Sequence, residues 1–594
     1  MKQKELWKTK PSSIRRGLSL LVALAMLLML LPQAAPVARA DSYSGTCGDN
    51  LTWTFDPDTG TLTIEGSGAM KDFTDWSSYD ENNSPWCDFK SSITALSLPT
   101  GLTTIGEDAF YECSGLISVT IPEGVTSIGG HAFYNCCSLS TVTIPASLKK
   151  MGDGAFGYYS EPGLTIDLTS VYISDLASWC GIEFGIDSNP LYYAHNLYLN
   201  GQLLTNLIIP QGVTSIGYSA FTCCTGLTSV TFPEELREIG GNAFSGCIGL
   251  NSLTLPEELT SIGSYAFSDC IGLTSLSLPE GLTSLGRYAF SGCTDLTSLT
   301  FQGGMTSVGD HAFYGCTGLS SVTFSEGPTG IGSYAFSGCT GLTSLTFCEG
   351  LTAIGSYAFS DCTGLNAVTL PKSLISIDIG AFNGCTGLTS VSIPKNVTKI
   401  GIMAFDGCTG LTDLTIAEGV TAIEIKAFYG CTGLSAVTLP ESLSYVGENA
   451  FAECTGLTSV TMHSFGCTIS LTNSKYTFGD PTKTTLYGYD NSSIWDYSLR
   501  WGYTFVSLGE YTPSNVCGQH LIWSFDDDTG VLTIEGSGSM TNYSLQSYDR
   551  APWYSLSDSI ASVSLPDGLT TIGSFAFYGC TALETVHWPK NLTV

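Results

Sequence analysis

Apolar and polar positions along this chain follow a pattern that returns every 23 residues. Counted from a phenylalanine as zero, alanine stands at −1, cysteine at +3, leucine at +6, Leu or Val at +9, and Leu, Ile, Phe or Met at +11. Proline often follows at +12, then Leu or Val near +15 and Ile at +18. In one unit these are Phe244, Cys247, Leu250, Leu253, Leu255, Pro256, Leu259 and Ile262. The phenylalanines fall at Phe110, Phe133 and Phe156, at every 23rd residue from Phe221 to Phe451, and at Phe577. Two periods coexist within a unit. Leu253 and Leu255 alternate with Ser252 and Thr254, the period of a short strand with one buried face. Pro256 ends that strand because it has no N–H to continue a ladder. Ile262, Ala266, Phe267 and Cys270 lie at i, i+4, i+5 and i+8, which predicts one apolar stripe on about two turns of helix. One strand and one short helical segment cannot bury their own apolar faces, whereas stacked copies can. The expected fold is therefore α/β and β-rich: a solenoid with a short strand plus a short helical segment per 23-residue unit.

The spacing L-x-x-L-x-L of Leu250, Leu253 and Leu255 is the signature of leucine-rich repeats. The unit "LTSIGSYAFSDCIGLTSLSLPEG" closely resembles the BspA-type leucine-rich repeat of bacterial surface proteins. The resemblance runs from Ile105 to about Val460 and implies a role in adhesion. The Asn-type position after L-x-L is missing, with Pro or a polar residue in its place, so the turn chemistry differs from that of other leucine-rich repeats. At about 4.8 Å per stacked strand, the eleven units from Phe221 to Phe451 would extend about 50 Å.

The rhythm starts, breaks and stops at definable places. Lys2, Lys4, Lys8, Lys10, Arg15 and Arg16 precede the apolar run Gly17 to Leu31, and small residues lead to Ala38-Arg39-Ala40. This is the build of a secretory signal peptide over residues 1–40, with cleavage expected before Asp41. Residues 41–92 read as a small β module, 93–465 as the solenoid, and 466–510 as its C-terminal cap. The cap sequence around Thr485–Leu508 reads as strand, short helix ending at Gly502, and strand. An insert at 160–208 carries a short helix at "DLASWC" and a hairpin turn at Asn200-Gly201. The module returns: "CGDNLTWTFDPDTGTLTIEGSGAM" from Cys47 recurs as "CGQHLIWSFDDDTGVLTIEGSGSM" from Cys517. Residues 511–556 are thus a second small β module, and 557–594 the start of a second repeat array. That array stops mid-unit at Val594, so we expect it to continue. Trp53, Phe55 and Trp86 recur in the copy and read as core, whereas Trp76 faces Gln546 and is a candidate for exposure.

Charge narrows the partners. The chain carries 22 basic and 53 acidic residues, and removing residues 1–40 takes seven basic and one acidic, leaving 15 against 52, or −37. Such a surface repels nucleic acid and anionic membrane. With no second long apolar run, the sequence predicts a secreted protein, extracellular or held at the cell surface, with no membrane insertion after signal cleavage. No cofactor is expected. Six scattered histidines offer no metal-binding spacing, and there is no nucleophile elbow or phosphate loop. The clustered carboxylates of "DPDTG" and "DDDTG" could hold calcium weakly, yet as Asp/Gly turns they need no metal. Enzymatic activity is not expected. Fourteen of the 22 cysteines sit at +3. Identical stacked side chains point the same way, which does not suit the disulfide dihedral, so they read as buried thiols packed as apolar groups.

What remains is the outward side of the strands. If +9 and +11 face in, +10 faces out, and it reads Thr231, Thr254, Ser277, Thr300, Thr323, Thr346, Thr369, Ser392, Thr415 and Thr438 in consecutive units. Threonine is a good strand former and stacks across strands. The same column is also a neutral hydrogen-bonding surface, framed by acidic loops such as Glu257-Glu258, for an extracellular protein or glycan. A spacer presenting another domain is the alternative the sequence leaves open.

Overall fold

The computed structural model describes residues 43–74, 83–158, 166–470, 476–509, 516–518, 521–545 and 550–589. The expected signal peptide, its expected cleavage point and Trp76 lie outside them. From the first module to Tyr503 one continuous apolar core runs through the molecule; a second core holds Cys517, Trp553 and their neighbours.

Each 23-residue turn contributes a strand at +8 to +11 and a two-residue strand at +17 and +18, as in Ser275–Leu278 and Ser284–Leu285. Most pair in parallel with their equivalents one unit along, in successive short sheets on each face. Leu276 lies opposite Leu299, Thr300 opposite Thr323, and Ile262 opposite Leu285. The result is a leucine-rich-repeat β-solenoid with little helix, presenting a long-strand face and a short-strand face. Leu253, Leu255, Leu259 and Ile262 are buried, as the alternation requires.

The segment around the phenylalanine is where the backbone differs from the expected helix. Ile262, Ala266, Phe267 and Cys270 all point inward, but they lie on a run of turns. In all eleven units from Phe221 to Phe451 the residues at −2 and +2 have positive φ; around Phe267 these are Tyr265 (59°) and Asp269 (57°). A left-handed residue every four positions interrupts the i→i−4 ladder on which a helix depends. The backbone donors go to the next turn instead. Tyr265 N–H donates to Arg287 O, Phe267 N–H to Ala289 O at 2.7 Å and Asp269 N–H to Ser291 O at 2.7 Å. Stacking of the rings follows from this equivalence, with Phe267 and Phe290 centroids 5.1 Å apart and 4° from parallel.

Both modules begin an array. The nine-residue strand Thr61–Ala69 pairs through its first half with Ala95–Ser97 and through its second with Gly101–Ile105. One strand thereby supplies the first edge to both faces, backed by the hairpin strands Leu51–Asp56 and Ser44–Gly48. Val531–Ser539 does the same for Ser562–Ser564 and Gly568–Thr571. Trp86 stacks on Phe110 and Trp553 on Phe577, so each extends the ring column by one layer.

The insert enters the solenoid as extra turns. Helix Leu176–Cys180 is capped by Asp175, whose carboxylate accepts from Ser178 N–H at 2.7 Å. Asn200 (φ 50°) and Gly201 (φ 80°) form the tight turn between Leu197–Leu199 and Gln202–Leu203. A second helix, Leu191–Ala194, has no counterpart in the sequence reading. Beyond the last repeat, Thr485–Gly488 and Thr504–Ser507 continue the long-strand face, joined by helix Ser493–Trp501, which ends at left-handed Gly502. Among the described residues no helix is long and apolar enough to cross a membrane.

Candidate binding face

Serine and threonine recur at +7, +10 and +16, and the structure sets the +10 row apart from the other two. At +7 the hydroxyl donates to the backbone carbonyl of the equivalent residue one unit earlier: Thr297 Oγ1 to Thr274 O at 2.9 Å, Ser320 Oγ to Thr297 O at 3.0 Å. At +16 the same link joins Thr283 to Thr260 (3.1 Å) and Thr352 to Thr329 (2.9 Å). These rows tie one turn to the next.

The +10 hydroxyls are left over. Thr231, Thr254, Ser277, Thr323, Thr346, Thr369, Ser392, Thr415 and Thr438 are exposed and Thr300 is half-buried. Only Ser277 has a side-chain partner among the ten, the amide of Gln302 at 2.8 Å. Strand pairing aligns them in successive segments: Ser277 beside Thr300, Thr300 beside Thr323, Thr346 beside Thr369 and Ser392 beside Thr415.

Register extends the column where the repeat spacing fails. In one sheet Thr143 pairs with Tyr172, Tyr172 with Tyr198 and Tyr198 with Leu203 on its edge strand, and on the first strand of the next sheet Ile208 pairs with Thr231. On the face that is otherwise a hydroxyl lane, the insert therefore presents two stacked tyrosine rings, 4.7 Å apart, and two exposed aliphatics. Leu203 is 42% and Ile208 68% exposed. At the far end Thr461 pairs with Tyr487 and Tyr487 with Val506. Sequence reading missed these residues because they fall outside the 23-residue spacing. The signal that finds them is the alternation "SVYI", "NLYL" and "TNLII", aligned with "TSVTF" of the regular units.

The end of the long strands carries the charge. Glu234, Glu235, Glu257, Glu258, Glu280, Glu326 and Glu349 follow the strands at +13 and +14, and all are exposed. Between Ile208 and Gly350 the chain has eleven carboxylates against Arg237 and Arg287, and Arg237 is already paired with Glu258.

Other chemistry-bearing residues are occupied. Cys339 Sγ donates to Phe313 O at 3.3 Å and Cys362 Sγ to Phe336 O at 3.2 Å, and the link recurs along the ladder. Burial pushes the Cys362 and Cys408 thiols up to about 12, so they are poor nucleophiles. Off the ladder, burial likewise raises Cys47 to about 11 and Cys467 to about 12. In "DPDTG" the Asp56 carboxylate accepts from Thr59 Oγ1 at 2.8 Å and Asp58 N–H at 3.0 Å, which holds its pKa below the usual carboxylate range and explains the acidic turn without a ligand.

A second array, on the corner of the solenoid, also escaped the sequence reading. The −2 residues Tyr265, Tyr288, His311, Tyr334 and Tyr357 stack in succession at 4.8, 4.3, 4.7 and 5.0 Å. Their faces are spent on each other, and the stack closes on Gly380, where a Cβ would collide with the Tyr357 ring.

The profile of the "BspA type Leucine rich repeat region" matches the chain in six copies, over residues 87–175, 194–320, 283–408, 352–479 and 551–594. Among solved structures, a leucine-rich repeat protein from Bacteroides ovatus is 27% identical over 74% of this chain and 98% of its own, with a TM-score of 0.45. A leucine rich cell surface protein from Faecalibacterium prausnitzii is 24% identical over 70% of this chain and 94% of its own, TM-score 0.35. The pneumococcal vaccine antigen PcpA is 18% identical over 78% and 98%, TM-score 0.34. No curated protein matches the chain.

Proposed function

The chain belongs to the BspA-type leucine-rich repeat family, and on that premise we propose that it is a non-enzymatic binding protein of the cell exterior, engaging its partner through the long-strand face. The observation that carries this reading is the division of labour among the hydroxyls. Most of those at +7 and +16 are committed to backbone carbonyls, while nine of the ten +10 hydroxyls have no side-chain partner in a column that spans ten turns. A solenoid offers such a row as an extended docking surface. Partners are extracellular, since the strongly negative charge disfavours nucleic acid and anionic lipid, and adhesion is the outcome of binding to a surface-borne partner.

The test uses the mature full chain on immobilised lysozyme, lactoferrin, serum albumin, mucin and neutral glucan. Saturable binding to at least one is expected. It is weakened when Thr231→Gln and Thr254→Gln crowd the long-strand face, and kept when Ser284→Gln and Ser307→Gln crowd the short-strand face. No saturable binding, or equal loss from both pairs, would leave the chain as a spacer.

A further inference from the structure

We propose that this face recognises a basic protein, whose apolar anchor seats on Tyr172, Tyr198, Leu203 and Ile208 and whose lysines and arginines meet the glutamate rim. The inference rests on the binding-face reading and adds the chemical class of the partner and the place where affinity is concentrated.

Three observations lead to it. First, protein interfaces draw most of their energy from a few large apolar side chains set among near-neutral contacts. The long-strand face has that composition. From Thr231 to Thr461 the +10 position is hydroxyl in every unit, and large apolar side chains appear where the insert meets it. Ile208 is the most exposed large hydrophobic residue among the described positions, at 68%, and nothing about the solenoid requires it. Its neighbours Leu207 and Ile209 supply the core, while Ile208 points away from it. Thr231, directly beside it in the sheet, shows what suffices there structurally.

Second, the anchor is partly aliphatic. Leu203 and Ile208 have no hydrogen-bonding atoms for a sugar, and the Tyr172 and Tyr198 rings face one another at 4.7 Å, so their shared faces are not open to a pyranose. Protein side chains fit such a patch better than a glycan does.

Third, the surroundings fix the sign of the partner. The rim at the strand ends carries seven exposed glutamates from Glu234 to Glu349, and Glu258 alone among them has a basic partner on the chain. Rim charges steer encounter and set salt dependence, whereas a desolvated apolar anchor sets the rate of release. A basic surface gains on both counts; an acidic one is repelled before it reaches the anchor.

The experiment uses the mature full chain and two basic proteins, lysozyme and lactoferrin, with serum albumin as the acidic probe and glucan as the neutral one. Saturable binding to a basic probe is expected, with none to albumin. Ile208→Asp, on an exposed side chain, should weaken it about 30-fold, mainly through faster release. Tyr198→Ala is the second anchor variant, and melting curves confirm that both are folded. The triple change Glu257→Gln, Glu280→Gln, Glu349→Gln should slow association and flatten its dependence on salt while leaving release nearly unchanged. Basic-probe binding that survives both anchor variants overturns the inference but leaves the binding face standing. So does binding confined to glucan or albumin. If no probe binds saturably, both fall.

Discussion

The cysteine at +3 serves packing and backbone at once. Phe313 O accepts from the Cys316 N–H within its own turn and from the Cys339 thiol of the next, so both lone pairs of a buried carbonyl are used. Sequence alone identified the ladder as buried thiols from identity and spacing, but the carbonyl partner depends on the left-handed turns, which the apolar stripe does not encode. The same turns hide the five-ring stack at −2, since a tyrosine with positive φ is a choice that pattern reading does not anticipate. The thiols make a pH prediction. Burial holds Cys362 near 12 in the folded chain, above its unfolded value of about 8.5. The folded state therefore keeps the proton longer, so this stabilisation is fully present below about pH 8.5 and is lost as pH rises toward 12. Denaturant midpoints should fall between pH 9 and 11, and Cys362→Ala, weaker at pH 7, should fall less steeply. Parallel slopes for the two proteins would remove the thiol from the explanation. Iodoacetamide at pH 8 should leave the ladder unlabelled until denaturant is added.

At the scale of elements, three tryptophans perform one task. Within the run, each Phe N–H donates to the carbonyl of the residue before the next phenylalanine, as Phe267 does to Ala289, and only at the last, Phe451, is that residue not alanine but Thr477. At the start of a run no preceding turn can supply that donor, and an indole takes its place. Trp86 Nε1 donates to Ala109 O at 2.7 Å, Trp179 Nε1 to Ala220 O at 2.8 Å and Trp553 Nε1 to Ala576 O at 2.8 Å. The recurrence of Trp86 as Trp553 was visible in the sequence as core. The equivalence of Trp179 was not, because it sits on a helix in the insert rather than ahead of a hairpin module. Strands and the Asn200-Gly201 turn were legible because alternation and turn chemistry are local. Trp179→Phe keeps an aromatic ring and leaves the Ala220 carbonyl without this donor, a loss of about 1–3 kcal/mol for an unsatisfied buried group. Asn189 Nδ2, 3.4 Å from the same oxygen, should recover part of it, so the double change with Asn189→Ala is expected to cost more than the two single changes added. Additive costs by denaturant titration would mean that the two donors act independently.

At the scale of the whole molecule, turns that touch only their neighbours make the array close to one-dimensional. The period was therefore the most legible property of the sequence, and the apolar residues that interrupt the hydroxyl column were the least. An outward residue changes freely without disturbing the fold, and the proposed anchor at Ile208 lies where the period is interrupted. One-dimensionality makes the length of the array separable from its function. Deleting Phe336–Ala358 removes 23 residues and joins Ala335 to Phe359, remaking an Ala-Phe pair with every inward position in register. Phe336 and Phe382 both lie in the ring column with Phe359, so Phe359 should stack on Phe313 in the shortened chain. A single cooperative melt close to that of the parent is expected. Deleting one residue more, through Phe359, places Ser360 after Ala335 and leaves a turn without a ring. The loss of a buried phenylalanine costs about 3–5 kcal/mol, at a point where each half of the array is held by the other. That variant should melt earlier and in two steps. A basic protein anchored on the insert should bind the 23-residue deletion with release unchanged, because Ile208 and its neighbours are some 130 residues before the cut. Association should be slower only to the extent that Glu349, removed with the unit, contributes to the rim.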